Sequence, residues 1–223
     1  HTISTHASQQ LLLELVTEPT EPWDAVICSS TAGRSVVEAL LDDREQQLAE
    51  RMGATVVSLR RRRPQLPVIP LPIDLHPLLN LPDRALSRRD LAIPQDAAVC
   101  IWLGRLSLFT KQDPWFTYRM LESAGQALQR PLHMIECGPD DTADQAAHFE
   151  QLRHCCPHVV FHRLGGAQQP VSEDCKQLAL AASDVAISLV DNTQETFGLA
   201  VAEAMAAGLP LLVSDWNGYR DLV

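Results

Sequence analysis

Apolar residues along this chain fall into short runs separated by longer amphipathic stretches. Five runs in its later part read as strands: Ala98 to Leu103, Leu132 to Cys137, Val159 to His162, Asp184 to Val190 and Leu211 to Ser214. They are apolar almost throughout, which is the pattern of strands covered on both faces. Earlier in the chain, Ala25-Val26-Ile27-Cys28 is a further strand candidate. Val68 to Pro72 is another, weakened by prolines that cannot donate to a ladder. Helical stretches lie between. Asp113-Pro114 pairs a capping acid with proline at the first helical position, and predicts a helix to about Gln129. Ser172-Glu173-Asp174 opens another, with acids where the helix dipole favours them. Gly208 and Pro210 stop a helix that begins near Gly198. This alternation predicts an α/β fold, a Rossmann-like doubly wound parallel sheet. Residues 60–76 read as a connection: the basic run Arg60 to Arg63, then proline-rich Pro64 to Pro77. The arginines read either as a solvated loop or as a contact for an anionic lipid or phosphate.

Composition narrows the function classes. The 223 residues suffice for one large domain or two small ones, and 46% hydrophobic content supports a substantial core. The net charge of −10 argues against nucleic acid as the main partner, while a small phosphate pocket needs only one or two cations. Of six cysteines, Cys28, Cys100, Cys137 and Cys175 fall in apolar runs and read as core residues. Cys155-Cys156 with His154 and His158 is spaced poorly for zinc, so no metal site is expected. No apolar run approaches the roughly 18 residues of a membrane span. The chain begins at His1, so targeting signals are not judged.

Ligands of doubly wound sheets bind at the carboxyl ends of the strands. Gly104-Arg105 follow the first clear strand, with Lys111 six residues past the arginine. Both cations are placed to meet a phosphate, and glycines such as Gly104 and Gly138 let a ligand approach the backbone. From Phe197 to Gly208 the only charged residue is Glu203. A carboxylate in such surroundings needs a partner, either a salt bridge or two ribose hydroxyls. The helix starting near Phe197 also offers free N–H groups to an anion such as a diphosphate.

Glu195 and Glu203, seven residues apart, lie in Glu195-Thr-Phe-Gly-Leu-Ala-Val-Ala-Glu203-Ala-Met-Ala-Ala-Gly208. This stretch resembles the E-x7-E segment of the retaining glycosyltransferases of family 4, which have the GT-B fold. Gly104-Arg105-Leu106 with Lys111 is similar to that family's G-R-L…K segment. The resemblance is close over residues 97–221 and loose over 1–76. It implies two parts: residues 1–76 as the end of an acceptor-side domain plus linker, and residues 77–223 as a nucleotide-sugar donor domain without its C-terminal end. It further implies that Arg105 and Lys111 hold the donor diphosphate and that Glu203 takes the ribose. Glu195 contacts the donor sugar, helped by the backbone of Phe197, Gly198 and Leu199. His1, in an H-T pair, lies near the transferred sugar. No resident cofactor or metal is expected. The partners are a nucleotide-sugar donor and a sugar, lipid-linked or small-molecule acceptor. The implied location is cytoplasmic, with peripheral membrane contact left open, as is the oligomeric state. Departures from the family pattern are Gln112, Pro72, Leu189-Val190-Asp191-Asn192 and Asp221. Two alternatives stay open: a nucleotide-sugar epimerase of related fold, and an inactive nucleotide-sugar-binding module.

Overall fold

The computed structural model describes residues 6–60, 63–167, 169–192 and 195–223. They divide into two units. The first comprises His1–Pro72, Thr193–Phe197 and Trp216–Val223; the second comprises Ile73–Asn192 and Gly198–Asp215.

In the first unit, helices α1 (His6–Glu14), α2 (Thr31–Met52) and α3 (Val56–Arg60) accompany a short parallel pairing. Ser30 caps α2 by accepting from the Gly33 N–H at 2.9 Å. Asp221, from a 3-10 turn at Asn217–Asp221, accepts from the Thr31 hydroxyl at 2.6 Å and from the Thr31 N–H. That gives a structural role to one of the departures noted above. The two early strand candidates survive only as isolated bridges, Ala25 with Gln65 and Cys28 with Val68. The pairing therefore starts earlier than the predicted 68–72. The Cys28 N–H donates to the Pro67 carbonyl at 2.9 Å, and Pro70 and Pro72 offer no donors to carry the ladder further. Arg63 is neither loosely solvated nor reserved for an anion. It donates to Glu45, itself 1% exposed, at 2.5 Å, and to Asp42 at 2.9 Å. Arg61 and Arg62 lie outside the described residues. An apolar recess of about 490 Å³ is lined by Leu11, Leu12, Leu15, Ile27 and Val37 among others. Its lining carries no charged side chain, which does not suit a diphosphate.

The second unit holds the predicted parallel sheet. Strands β1 (Ala98–Leu103), β2 (Leu132–Cys137), β3 (Val159–Leu164), β4 (Val185–Ser188) and β5 (Leu211–Val213) lie in the order β3-β2-β1-β4-β5, all parallel. Helices α4 (His76–Leu79), α5 (Arg84–Asp90), α6 (Pro114–Ala127), α7 (Ala143–His154), α8 (Glu173–Ala182) and α9 (Leu199–Ala206) connect them. Side chains of β1 alternate between two cores. Val99 and Ile101 pack with Ile135, Ala179, Leu180 and Ala204; Cys100 and Trp102 pack with Tyr118, Leu121, Met134 and Phe149. Each face of the strand is thus covered, as its unbroken apolar run requires. Among the described residues no helix is long and apolar enough to cross a membrane.

Boundaries differ from expectation for identifiable reasons. β4 begins at Val185 because the Asp184 carboxylate is spent elsewhere: it accepts from the Val99 N–H at 2.8 Å, from buried Arg88 at 3.0 Å, and from Arg84. Arg88 also donates to the carbonyls of Ala182, Gln95 and Ala97. Asp113 caps α6 through the Trp115 N–H at 2.9 Å, as predicted, and the helix ends at Ala127. α7, capped by Thr142, was not individually marked by the pattern. Of the cysteines expected in the core, Cys28, Cys100 and Cys137 are buried but Cys175 is only half-buried, whereas Cys156 is buried. Burial pushes the Cys100 thiol up to about 11 and the Cys137 thiol up to about 12, so neither is a ready nucleophile. Among the described residues no group of His, Cys, Asp and Glu is arranged to hold a metal ion. His158 pairs with Glu122 at 2.6 Å instead.

Candidate functional site at the switch point of the sheet

The strand order reverses between β1 and β4: the chain works outward through β2 to β3, then returns to the other side of β1. At such a switch point the flanking loops splay apart and leave a crevice outside the carboxyl ends. Two segments of the second unit frame it, the loop after β1 and the start of α9 after β4.

The loop after β1 is held by the neighbouring strand end. The Gly104 N–H donates to the Cys137 carbonyl at 2.8 Å, the Leu106 N–H to Pro139 at 2.9 Å, and the Gly138 N–H to Leu164 at 3.0 Å. Gly138 is required by this close approach, since a Cβ there would lie 2.0 Å from the Gly104 carbonyl oxygen. Backbone packing alone therefore accounts for this glycine, whatever ligand it also meets. Arg105 follows, about half exposed, its guanidinium 3.2 Å from Asp141. The other Asp141 oxygen accepts from the Ser107 hydroxyl at 2.6 Å. The Ser107 carbonyl in turn accepts from the N–H groups of Lys111 and Gln112 at 3.2 Å each, closing a tight turn. The Lys111 carbonyl accepts from the Asn192 side chain, which ties the loop after β1 to the loop after β4. Gln112, one of the departures, is buried and donates to the Thr117 hydroxyl at 3.2 Å.

Gly198 is the N-cap of α9 at φ 97°, a left-handed conformation that favours glycine. No side chain among the described residues caps the helix, so its first-turn N–H groups remain for solvent or an anion. Leu199 begins the helix and is exposed. Glu203 lies one turn further on, and Lys176 of α8 donates to its Oε1 at 3.0 Å. Lys176 also reaches Glu173 at 3.0 Å. Burial works against the Lys176 ammonium, but its bonds to Glu203 and Glu173 outweigh this and hold its pKa above the ordinary lysine value. Lys176 escaped the sequence reading. A signal existed: it is the only Lys or Arg between Arg163 and Arg220, hence the one cation in that stretch available to Glu203.

The second unit thus carries Gly104, Arg105, Lys111, Gly138, Gly198, Leu199 and Glu203, while Glu195 and Phe197 belong to the first. Glu195 is half-buried, and its carbonyl accepts from the Gly218 N–H at 3.3 Å; Phe197 is buried. His1 lies outside the described residues.

Residues 97–223 match the family model of the glycosyl transferases group 1. A D-inositol 3-phosphate glycosyltransferase from a Nocardioides species is 27% identical over 149 residues, covering 63% of this chain and 32% of that protein. Among solved structures, Anabaena HepE in complex with UDP is 22% identical with a TM-score of 0.66, covering all of this chain and 54% of that one. WaaG, a glycosyltransferase involved in lipopolysaccharide biosynthesis, is 18% identical with a TM-score of 0.57, over 92% of this chain and 60% of that one. The chain therefore spans about a third of the curated relative and about half of HepE. These likenesses establish the GT-B type of fold, and the family match covers more than half of the residues: the chain belongs to the glycosyl transferases group 1.

Proposed function

We propose that this chain carries the donor-binding part of a retaining glycosyltransferase of family 4. It moves a hexose from a nucleotide-diphosphate sugar to a sugar, lipid-linked or small-molecule acceptor. The observation that carries the reading is the content of the switch-point crevice: Arg105 and Lys111 on the loop after β1, with Glu203 and an uncapped helix start on α9.

In this reading Arg105, Lys111 and the N–H groups at Gly198 and Leu199 neutralise the diphosphate. Glu203 accepts the ribose hydroxyls. Glu195 is assigned to the donor sugar on its motif position alone. The bond between the anomeric carbon and the diphosphate oxygen breaks, the acceptor oxygen bonds to that carbon, and the acceptor proton leaves with the nucleoside diphosphate. Charge developing on the leaving group meets fixed cations and dipoles, so neither metal nor resident cofactor is invoked. HepE, a fold neighbour, was solved with UDP and with UDP-glucose, which supports uridine and glucose as the first donor pair to try. The reaction is assigned to the cytoplasm, free in solution or at a membrane surface.

Calorimetry with UDP, GDP and ADP, each with and without an attached hexose, tests the donor reading. Selective binding of one base is expected, and absence of binding by all six ligands overturns it. The anomeric proton coupling of the transferred sugar, read by NMR, tests retention.

A further inference from the structure

We infer that Lys176 is a positioning residue for the ribose of the donor, acting through Glu203; this rests on the assignment of Glu203 to the ribose given above. Three observations lead to it. Glu203 is the only charged residue from Phe197 to Gly208, on a helix otherwise built of apolar and small residues. Such a carboxylate is unsettled unless a partner holds it ionised. That partner is Lys176, the only Lys or Arg between Arg163 and Arg220, and it comes from a different helix. The ammonium is itself fixed at two points, 3.0 Å from Glu203 on α9 and 3.0 Å from Glu173 one turn before it on α8. Its side chain is only 19% exposed, so it is not a freely swinging surface lysine.

The consequence is geometric and electrostatic. With Oε1 of Glu203 engaged by Lys176, the described residues give Oε2 no hydrogen bond. An ionised carboxylate is an acceptor only, so Oε2 is presented to hydroxyl donors such as those of a ribose. The ammonium also offsets the charge of Glu203, which otherwise repels the diphosphate of the same ligand. Lys176 thereby lets an acid serve in a site built for an anion. It touches the carboxylate rather than the reacting atoms.

The experiment compares UDP with 2′,3′-dideoxy-UDP by calorimetry on the wild-type chain and on Lys176→Met, Lys176→Arg and Glu203→Ala, with a thermal melt of each. The wild type should prefer UDP by about tenfold, the scale of one hydrogen bond to a charged group, and Glu203→Ala should abolish that preference. Lys176→Met should reduce it to within about threefold while leaving the affinity for dideoxy-UDP nearly unchanged. Lys176→Arg should restore most of it. Should Lys176→Met not fold, Lys176→Gln carries the same expectation. Full preference retained in Lys176→Met, or equal loss for both ligands, overturns the inference and leaves the donor reading standing. No preference in the wild type overturns the ribose assignment, and the inference with it.

Discussion

Replacing Arg105 by alanine separates what the residue does for the fold from what it does for the ligand. Its side chain is 49% exposed and its one ion pair, with Asp141, spans 3.2 Å. Exposed pairs of this kind contribute roughly 0–1 kcal/mol. Asp141 keeps its bond from Ser107 when the arginine is gone, so no buried acceptor is stranded. The melting temperature should therefore fall by no more than about 4 °C. Binding should respond quite differently. A guanidinium on a diphosphate forms charge-assisted hydrogen bonds worth about 1.5–3 kcal/mol each, so UDP affinity should drop roughly 10- to 100-fold. Uridine, which lacks the diphosphate, should lose nothing. Arg105→Lys keeps the charge and loses the planar fork, and should fall between the two.

The assay is calorimetry of uridine, UMP and UDP against wild type and variant at two salt concentrations, with a thermal melt of each protein. The loss should grow from uridine through UMP to UDP and shrink as salt rises. Equal losses for uridine and UDP would refute the diphosphate role. A fall in melting temperature beyond about 10 °C would instead make Arg105 a residue of the fold, against its exposure and its single partner.

Three further outcomes follow from the second unit. Glu136 is fully buried on β2, paired with Arg153 at 2.7 Å and accepting from the Tyr118 hydroxyl, so Glu136→Leu should cost about 3–5 kcal/mol in urea unfolding and Tyr118→Phe only about 1; a loss under about 1 for Glu136→Leu would contradict an intact buried pair. His133 and His162 face each other with ring nitrogens 2.7 Å apart, and burial lowers both pKa values, with His162 and Arg88 adding to the effect at His133. Their folded pKa values thus lie below the unfolded value of about 6.5, so this stability is present above that pH and is lost as pH falls through the folded values. Urea unfolding from pH 7.5 to 5 should accordingly be flatter for His133→Gln than for wild type, and parallel curves would remove the pair from the account. Gly138→Ala puts a Cβ 2.0 Å from the Gly104 carbonyl oxygen, so it should cost about 1–3 kcal/mol and weaken UDP by displacing the loop that bears Arg105; an unchanged melting curve would count against that packing.

The sheet was legible because its strands are buried on both faces and so appear as unbroken apolar runs. β1 and β2 match the predicted bounds residue for residue. Where a strand residue has a second task the pattern misleads, as at Asp184, whose carboxylate leaves the ladder to serve Val99 and Arg88. The early strands were less legible, because prolines make the second one too short for a regular ladder. Of the site, the cations after β1 and the acid on α9 could be read from position alone. Their partners could not. Asp141 lies 36 residues from Arg105 and Lys176 lies 27 from Glu203, and hydrophobic periodicity carries no information about pairs brought together by a crossover. Equally unmarked was the return of 193–197 and 216–223 to the first unit.

Exposure sorts the cations of this acidic protein by task. Arg88 is 2% exposed and is consumed by three carbonyls and Asp184; Arg153 is 11% exposed and is consumed by Glu136 and Glu150. Neither can turn to a ligand without stranding a buried acceptor, which costs more than a surface contact returns. Arg105, at 49%, can exchange Asp141 for a diphosphate at little cost, because its present pair is screened by water and Asp141 retains Ser107. The pair still has a use before the ligand arrives, since it holds the guanidinium beside the strand end and lowers the ordering cost of binding. Lys176, at 19% and held by two carboxylates, stands between these cases: too committed to leave Glu203 for a phosphate, yet placed to fix the carboxylate that a ribose would meet.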